Sequence, residues 1–203
     1  MKRLAALIVA LVLVAGCSSA PAPIASEPRP TFTPAEPAVI LKARKQAGIA
    51  DCPRTAAEVP TRSDGLPDLT LDCLGGDSTV RLSALRGKPM VINLWAQWCA
   101  PCREESPWLK QYAADFKGKV LLMGVNYDDP RPELAVEFAS LVGWKYPQLH
   151  DPERRRSTVM SVPGLPLTLF VAADGRIVHR VAGKLQSYDE LVSITRDELG
   201  VRL

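Results

Sequence analysis

The chain has 203 residues, 47% hydrophobic and 23% charged, enough for one ordinary globular domain with its own core. With ordinary apolar content and no short repeat, the fibrous and wholly disordered classes are excluded. The formal charge is +3, and discounting Lys2 and Arg3 from the 25 basic residues leaves 23 against 22 acidic, or +1. That is too small an excess for a domain held on phosphates, so no nucleic-acid partner is expected.

Lys2 and Arg3 open the chain, and twelve apolar residues follow without a break from Leu4 to Ala15. A permanent membrane helix takes about 20 residues; a run of this length suits the apolar region of a signal peptide. Val14-Ala15-Gly16-Cys17 resembles a bacterial lipobox. The resemblance implies a signal peptide over 1–16, a lipid on the sulfur of Cys17, and anchoring in the bilayer at the extracytoplasmic face of the cell membrane. The plainer alternative is a secretory signal in which Cys17 is incidental. Six prolines between Ser18 and Ala47 make 17–47 read as an extended, semi-rigid tether. Within it, 39–47 suits a short helix stopped by Gly48.

From 48 to 203 the pattern alternates strands and helices, as in an α/β domain. Segments 69–71 and 79–82 flank Gly75-Gly76-Asp77 as a hairpin. Ser83 is placed to cap a short turn over 84–86. Residues 90–95 are nearly all apolar, as in a central strand buried on both faces. A helix starts near Cys99, with Pro101 in its first turn, and runs to about Phe116 with a kink at Pro107. A second buried strand over 119–125, a helix over 132–142, a short strand over 147–150 and a short helix near 153–160 follow. Strands 167–172 and 176–182 flank the turn Ala173-Asp174-Gly175, and Ser187 caps a last helix that Gly200 ends.

The five cysteines are Cys17, Cys52, Cys73, Cys99 and Cys102. Cys99 and Cys102, two residues apart at a strand-to-helix junction, suit dithiol–disulfide exchange. Unpaired N–H groups at a helix N-terminus lower the pKa of the first thiol, and one helical turn brings the second within bonding distance. Cys99 is then the attacking sulfur and Cys102 the resolving one. A structural bridge across so tight a loop would remove little unfolded-state entropy. A zinc site would need two more ligands, and the chain offers only His150 and His179; no metal and no cofactor are expected.

Trp95-Ala96-Gln97-Trp98-Cys99-Ala100-Pro101-Cys102, with Pro107 five residues on, resembles the active-site stretch of the thioredoxin superfamily. Val162-Pro163-Gly164-Leu165-Pro166-Leu167-Thr168 is similar to the loop that carries that family's cis-proline, at Pro166. The resemblance covers about 66–200 and implies a thioredoxin-like three-layer α/β/α sandwich with a central mixed sheet. Leu165 and Pro166 would present backbone to a substrate chain. Leu82 to Pro89, the added segment 128–160, Arg103 to Pro107 and the lipobox resemble the TlpA/ResA-like membrane-tethered thiol-disulfide oxidoreductases. This branch implies an N-terminal hairpin addition and a central insertion. It further implies reduction of protein disulfides outside the cytoplasm, often in cytochrome c maturation, and a membrane dithiol as electron donor. A monomer is expected.

Two departures matter. Asn93 stands where thioredoxins have a buried Asp, and an amide cannot shuttle a proton. Glu105 occupies the place where ResA-like proteins have an acid, and partial burial would raise its pKa toward neutrality, fit to exchange a proton with Cys102. The alternative is a solvated helix-surface Glu beside Glu104. Trp98 is expected to shield Cys99 and touch substrate, and Trp95 to lie in the core. Cys52 and Cys73 would close a loop of about 22 residues, worth roughly 3–3.5 kcal/mol as a structural disulfide; a second exchanging pair is the alternative. Arg154-Arg155-Arg156 reads as a solvated face. The competing functions are a disulfide-forming oxidase on the same fold, a peroxiredoxin, a copper-delivery protein and a redox-inert binding lipoprotein. A peroxiredoxin wants Thr or Ser where Ala96 stands.

Overall fold

In the computed structural model, residues 35–55, 59–153 and 162–203 are described. The signal peptide, Cys17 and most of the tether lie outside them, as do Arg154-Arg155-Arg156 and nearly all of the helix expected near 153–160. The described residues, from Ala35 onward, belong to one compact unit. Its elements in order are α1 (Pro37–Ala47), β1 (Thr70–Cys73), β2 (Thr79–Arg81), β3 (Met90–Trp95), α2 (Ala100–Asp115), β4 (Leu121–Tyr127), α3 (Pro132–Leu141), β5 (Gln148–Asp151), β6 (Leu167–Val171), β7 (Ile177–Ala182) and α4 (Tyr188–Leu199).

Every residue of β3 is buried, as its apolar run requires. Side chains alternate faces along a strand, so Val91, Asn93 and Trp95 face one side and Met90, Ile92 and Leu94 the other. Two hydrophobic clusters follow that alternation. Val91, Trp95 and Phe170 join the buried faces of all four described helices, through Ile40, Leu109, Val136 and Leu191 among others. Met90, Ile92, Leu94, Leu167 and Leu169 join Leu66, Leu71, Leu82 and Leu85 beneath the lead-in and hairpin. Each such aliphatic side chain taken out of water contributes about 1.5–3 kcal/mol.

The seven strands run in the order β2-β1-β5-β4-β3-β6-β7. β3, β4 and β5 are parallel and the other pairings antiparallel. This is a central mixed sheet with helices packed on it, the α/β class of the thioredoxin-like resemblance. The hairpin β1–β2 reaches the sheet only through β5, where Asp72 pairs with His150 and Cys73 with Leu149. The central insertion therefore supplies the strand that docks the N-terminal addition. The Cys52–Cys73 disulfide ties the lead-in to the end of β1, Cα to Cα 5.9 Å.

Local signals set several boundaries. Ser187 Oγ accepts from Glu190 N–H at 3.1 Å and caps α4. Gly48 closes α1 with φ 68°, a left-handed conformation that costs glycine little. Two expectations differ from the structure. The short helix expected over 39–47 is present as α1, but it starts at Pro37 and, rather than standing in an extended tether, buries Ile40 and Ala47 and packs on α3. Pro37 belongs to the proline run by composition, yet it sits in the first turn of a helix, where its missing N–H costs nothing. Ser83 is no cap: it lies inside a 3-10 turn over Leu82–Ala84 and donates to Asp68 Oδ1 at 2.8 Å.

Candidate active site at the start of helix α2

β3 delivers the chain to the edge of the sheet at Trp95, and α2 begins at Ala100. Cys99 between them is the N-cap of α2: it is extended, with φ −78° and ψ 106°, and its sulfur accepts from the Cys102 N–H at 3.3 Å. The cap position puts that sulfur against the unpaired N–H groups and positive end of the helix, an arrangement that favours a thiolate once the pair is reduced. Cys99 and Cys102 form a disulfide, Cα to Cα 5.3 Å. Cys99 is 4% exposed and Cys102 fully buried. Cys99 is thus the more accessible of the two.

Pro107 lies inside α2 and cannot donate to the Arg103 carbonyl one turn back. Ser106 Oγ donates to that carbonyl instead, at 2.8 Å, so the helix carries its proline without an orphaned acceptor.

One turn beyond Cys102, Glu105 is fully buried, against the alternative of a solvated surface residue. Its Oε1 accepts from Asn93 Nδ2 at 2.8 Å and its Oε2 from the Leu185 N–H at 3.1 Å. Burial raises its pKa from 4.5 to about 7, opposed by those two donors and by the charge of Lys184. Asn93 also donates to Thr168 Oγ1 at 3.1 Å. The sheet register explains the grouping. Thr168 lies opposite Asn93, Asn93 opposite Gly124, and Gly124 opposite Gln148, so the four form a row across the sheet on the face that meets α2. Gln148 Oε1 accepts from Trp95 Nε1 at 2.9 Å. A Cβ on Gly124 would stand 1.9 Å from that oxygen, which is why glycine is needed there. Trp95 is fully buried and meets Trp144 edge-on at 5.0 Å, the core position expected of it.

Trp98 is 52% exposed beside the disulfide. Its Nε1 donates to the Asp128 carbonyl at 3.1 Å, and the neighbouring Gln97 N–H donates to Asp129 Oδ2 at 3.2 Å. Asp129 is itself 1% exposed and accepts from Asn126 Nδ2 at 3.1 Å. His150 is half-buried, and its Nε2 lies 2.9 Å from the Asp129 carbonyl. Thus the turn after β4 holds the loop that carries Trp98 and Cys99. The Leu165–Pro166 peptide is cis. Leu165 and Trp98 line one cleft of 180 Å³ with Tyr127, Asp128, Val162, Pro163 and Gly164; Pro166 is buried and does not line it.

Of the residues singled out from the sequence, Cys99, Cys102, Glu105, Trp98 and Leu165 gather at this end of the sheet. Cys52 and Cys73 belong to the other hydrophobic cluster. Thr168, Asp129 and the Leu185 N–H were not anticipated. A signal for Thr168 existed in the polar residue inside an apolar strand; Asp129 carried none, since its partner Gln97 lies 32 positions away.

Comparison with known proteins agrees with this geometry. The AhpC/TSA family profile matches residues 63–180. A thiol:disulfide interchange protein DsbE of Pseudomonas fluorescens biotype C is 34% identical over 148 residues, 72% of this chain and 79% of its own length. The thiol:disulfide interchange protein HelX of Rhodobacter capsulatus is 38% identical over 59% of this chain and 66% of its own. Among solved structures, a DsbE-type thiol:disulfide interchange protein from Chlorobium tepidum superposes with a TM-score of 0.55 at 27% identity, over 63% of this chain and 88% of its own. A secreted disulfide oxidoreductase of Mycobacterium tuberculosis gives 0.55 at 28% identity, over 61% and 91%.

Proposed function

The chain belongs to the AhpC/TSA family and is a thiol–disulfide oxidoreductase, and from that premise we propose that it reduces protein disulfides outside the cytoplasm, with Glu105 as the proton partner of Cys102. The observation that carries the reading is Glu105 itself: a buried carboxyl on the face of α2 that follows Cys102, held near a pKa of about 7.

The Cys99 thiolate attacks a substrate disulfide, one sulfur of which leaves as a thiolate and takes a proton from water. Glu105 removes the proton of the Cys102 thiol, and the Cys102 thiolate attacks the Cys99 sulfur of the mixed disulfide. The second substrate sulfur leaves, two electrons have passed to the substrate, and Cys99–Cys102 is oxidised. A pKa near neutrality lets one carboxyl accept the proton in this direction and return it when the pair is re-reduced. Trp98 and Leu165 form the wall against which a substrate segment lies, with the Pro166 loop behind. A membrane dithiol protein re-reduces the pair, and a lipid on Cys17 keeps the domain near it; the lipobox sequence supports that anchor. The clients are extracytoplasmic proteins whose cysteines must be kept reduced, as in cytochrome c maturation, which the TlpA/ResA-like resemblance implies. Ala96, where a peroxidase would want Thr or Ser, speaks against peroxide chemistry.

Replacement of Cys102 by Ser tests the assignment. Cys99 then holds mixed disulfides with clients that cannot be resolved, and electrophoresis without reductant displays them. Equal trapping by Cys99→Ser would overturn the assignment of the nucleophile. Direction is read from the reduction potential: a value near that of thioredoxin, about −270 mV, supports reduction, and one near that of DsbA, about −120 mV, supports disulfide formation.

A further inference from the structure

We propose that the end of the sheet remote from the cysteines is a binding site for a single-chain anionic amphiphile, a carboxylate of the fatty-acid type. The redox pair lies beyond the C-terminal edge of the parallel strands β3 and β4. A groove of 550 Å³ opens at their N-terminal edge, between the second half of α2, the start of β4 and the segment leading into β5. The seven residues of β4 set the two ends roughly 20 Å apart, so this groove is separate from the cleft beside Trp98.

The groove joins an apolar wall to a basic rim. Phe116, Val120, Leu122 and Tyr146 line it, each 7% exposed or less. The charged side chains lining it, among the described residues, are Lys110, Lys117 and Lys145; no acidic one does. The Lys145 ammonium donates to the Ala47 carbonyl at the end of α1. Lys110 and Lys117 form no ion pair among the described residues, which leaves them to receive an anion. Apolar cavities of about 300–1,000 Å³ with a few convergent polar groups are the usual form of a small-molecule site. Three like charges around an apolar cleft repel one another, and a carboxylate among them relieves that repulsion.

The recessed wall selects the occupant. Val39, Trp98, Leu141 and Leu203 are the large hydrophobic residues exposed on the described surface, and none lines the groove. A bilayer surface or a partner helix finds nothing protruding to grip, whereas an alkyl chain is slender enough to enter.

The test is calorimetric titration of the full 203-residue chain carrying Cys17→Ser, so that no acyl group of its own competes. Dodecanoate and the dodecyltrimethylammonium cation are the probes, both kept below their micelle concentrations. Dodecanoate is expected to bind at one site and at least tenfold more tightly than the cation. The double variant Lys110→Glu, Lys117→Glu is expected to weaken dodecanoate roughly tenfold and to leave disulfide exchange unchanged. Ala113→Phe, which fills the groove from α2, is expected to abolish binding. The two lysines are exposed, so their readout does not depend on how the core accepts Phe at 113. Absence of dodecanoate binding, equal binding of the cation, or binding unchanged in the lysine variant would overturn the proposal.

Discussion

Two cystines sit in this domain, and solvent exposure does not tell them apart. Cys52 and Cys73 are 8% and 2% exposed, Cys99 and Cys102 4% and 0%. What differs is the surroundings. Cys52–Cys73 spans a separation of 21 residues and lies among aliphatic side chains under the hairpin. Cys99–Cys102 spans three, sits on the N-terminus of a 16-residue helix, and has an exposed Trp98 on one side and a buried carboxyl on the other. The first cystine closes a loop long enough for a bridge to constrain the unfolded chain. The second has beside it the parts that the proposed exchange would use: a helix N-terminus, a buried carboxyl and a cleft. On the reading proposed above, the same bond is structural in one place and chemical in the other because of what surrounds it.

The comparison can be broken by variants that treat the two pairs alike. Cys99→Ser is expected to lower insulin reduction on the order of a thousandfold or more while leaving thermal stability within a few degrees of wild type. Glu105→Gln is expected to slow resolution of the mixed disulfide about a hundredfold. In wild type that step should accelerate as pH rises through about 7, where Glu105 becomes ionised; the Gln variant should lack this limb.

The same carboxyl has a stability signature of opposite sense. Its pKa in the folded protein lies above 4.5, so the native state holds the proton more tightly than the unfolded chain. Glu105 is therefore tolerated at low pH and destabilises progressively between about pH 4.5 and 7, by about 3 kcal/mol once ionised. Denaturant titrations at pH 5 and pH 8 should show wild type losing stability over that interval and Glu105→Gln losing much less.

Removing the other cystine sharpens the contrast. The double variant Cys52→Ser, Cys73→Ser should lower unfolding free energy by about 3 kcal/mol and leave the exchange rate of the folded enzyme within about twofold of wild type. The smallest effect is expected at Trp98. Its replacement by Ala should raise KM for a protein disulfide a few-fold, roughly the loss of one exposed aromatic contact, with no change toward a small disulfide such as oxidised glutathione.

Much of this was legible in the sequence because the signals were local. The apolar run of β3, Pro101 in the first turn of α2, and Ser187 and Gly200 around α4 each act through neighbours a few residues away. Glu105 was legible as an acid at the right helical offset, but partial burial was expected where burial is complete, since Leu185 and Asn93 reach it from elements distant in sequence. The polar row Thr168–Asn93–Gly124–Gln148 depends on the register of four strands, which no local pattern specifies. The helical character of α1 was legible over 39–47, with Gly48 as its stop; its start at Pro37, which continues a proline run, and its docking against α3, a tertiary contact, were not.

The central claim is that one cystine exchanges and the other does not. Graded reduction with dithiothreitol, followed by alkylation and mass mapping of the four cysteines, tests it most directly. The account predicts that Cys99 and Cys102 are alkylated at the mildest reductant while Cys52–Cys73 stays closed until much stronger reduction. Opening of Cys52–Cys73 first, or of both together, would contradict it.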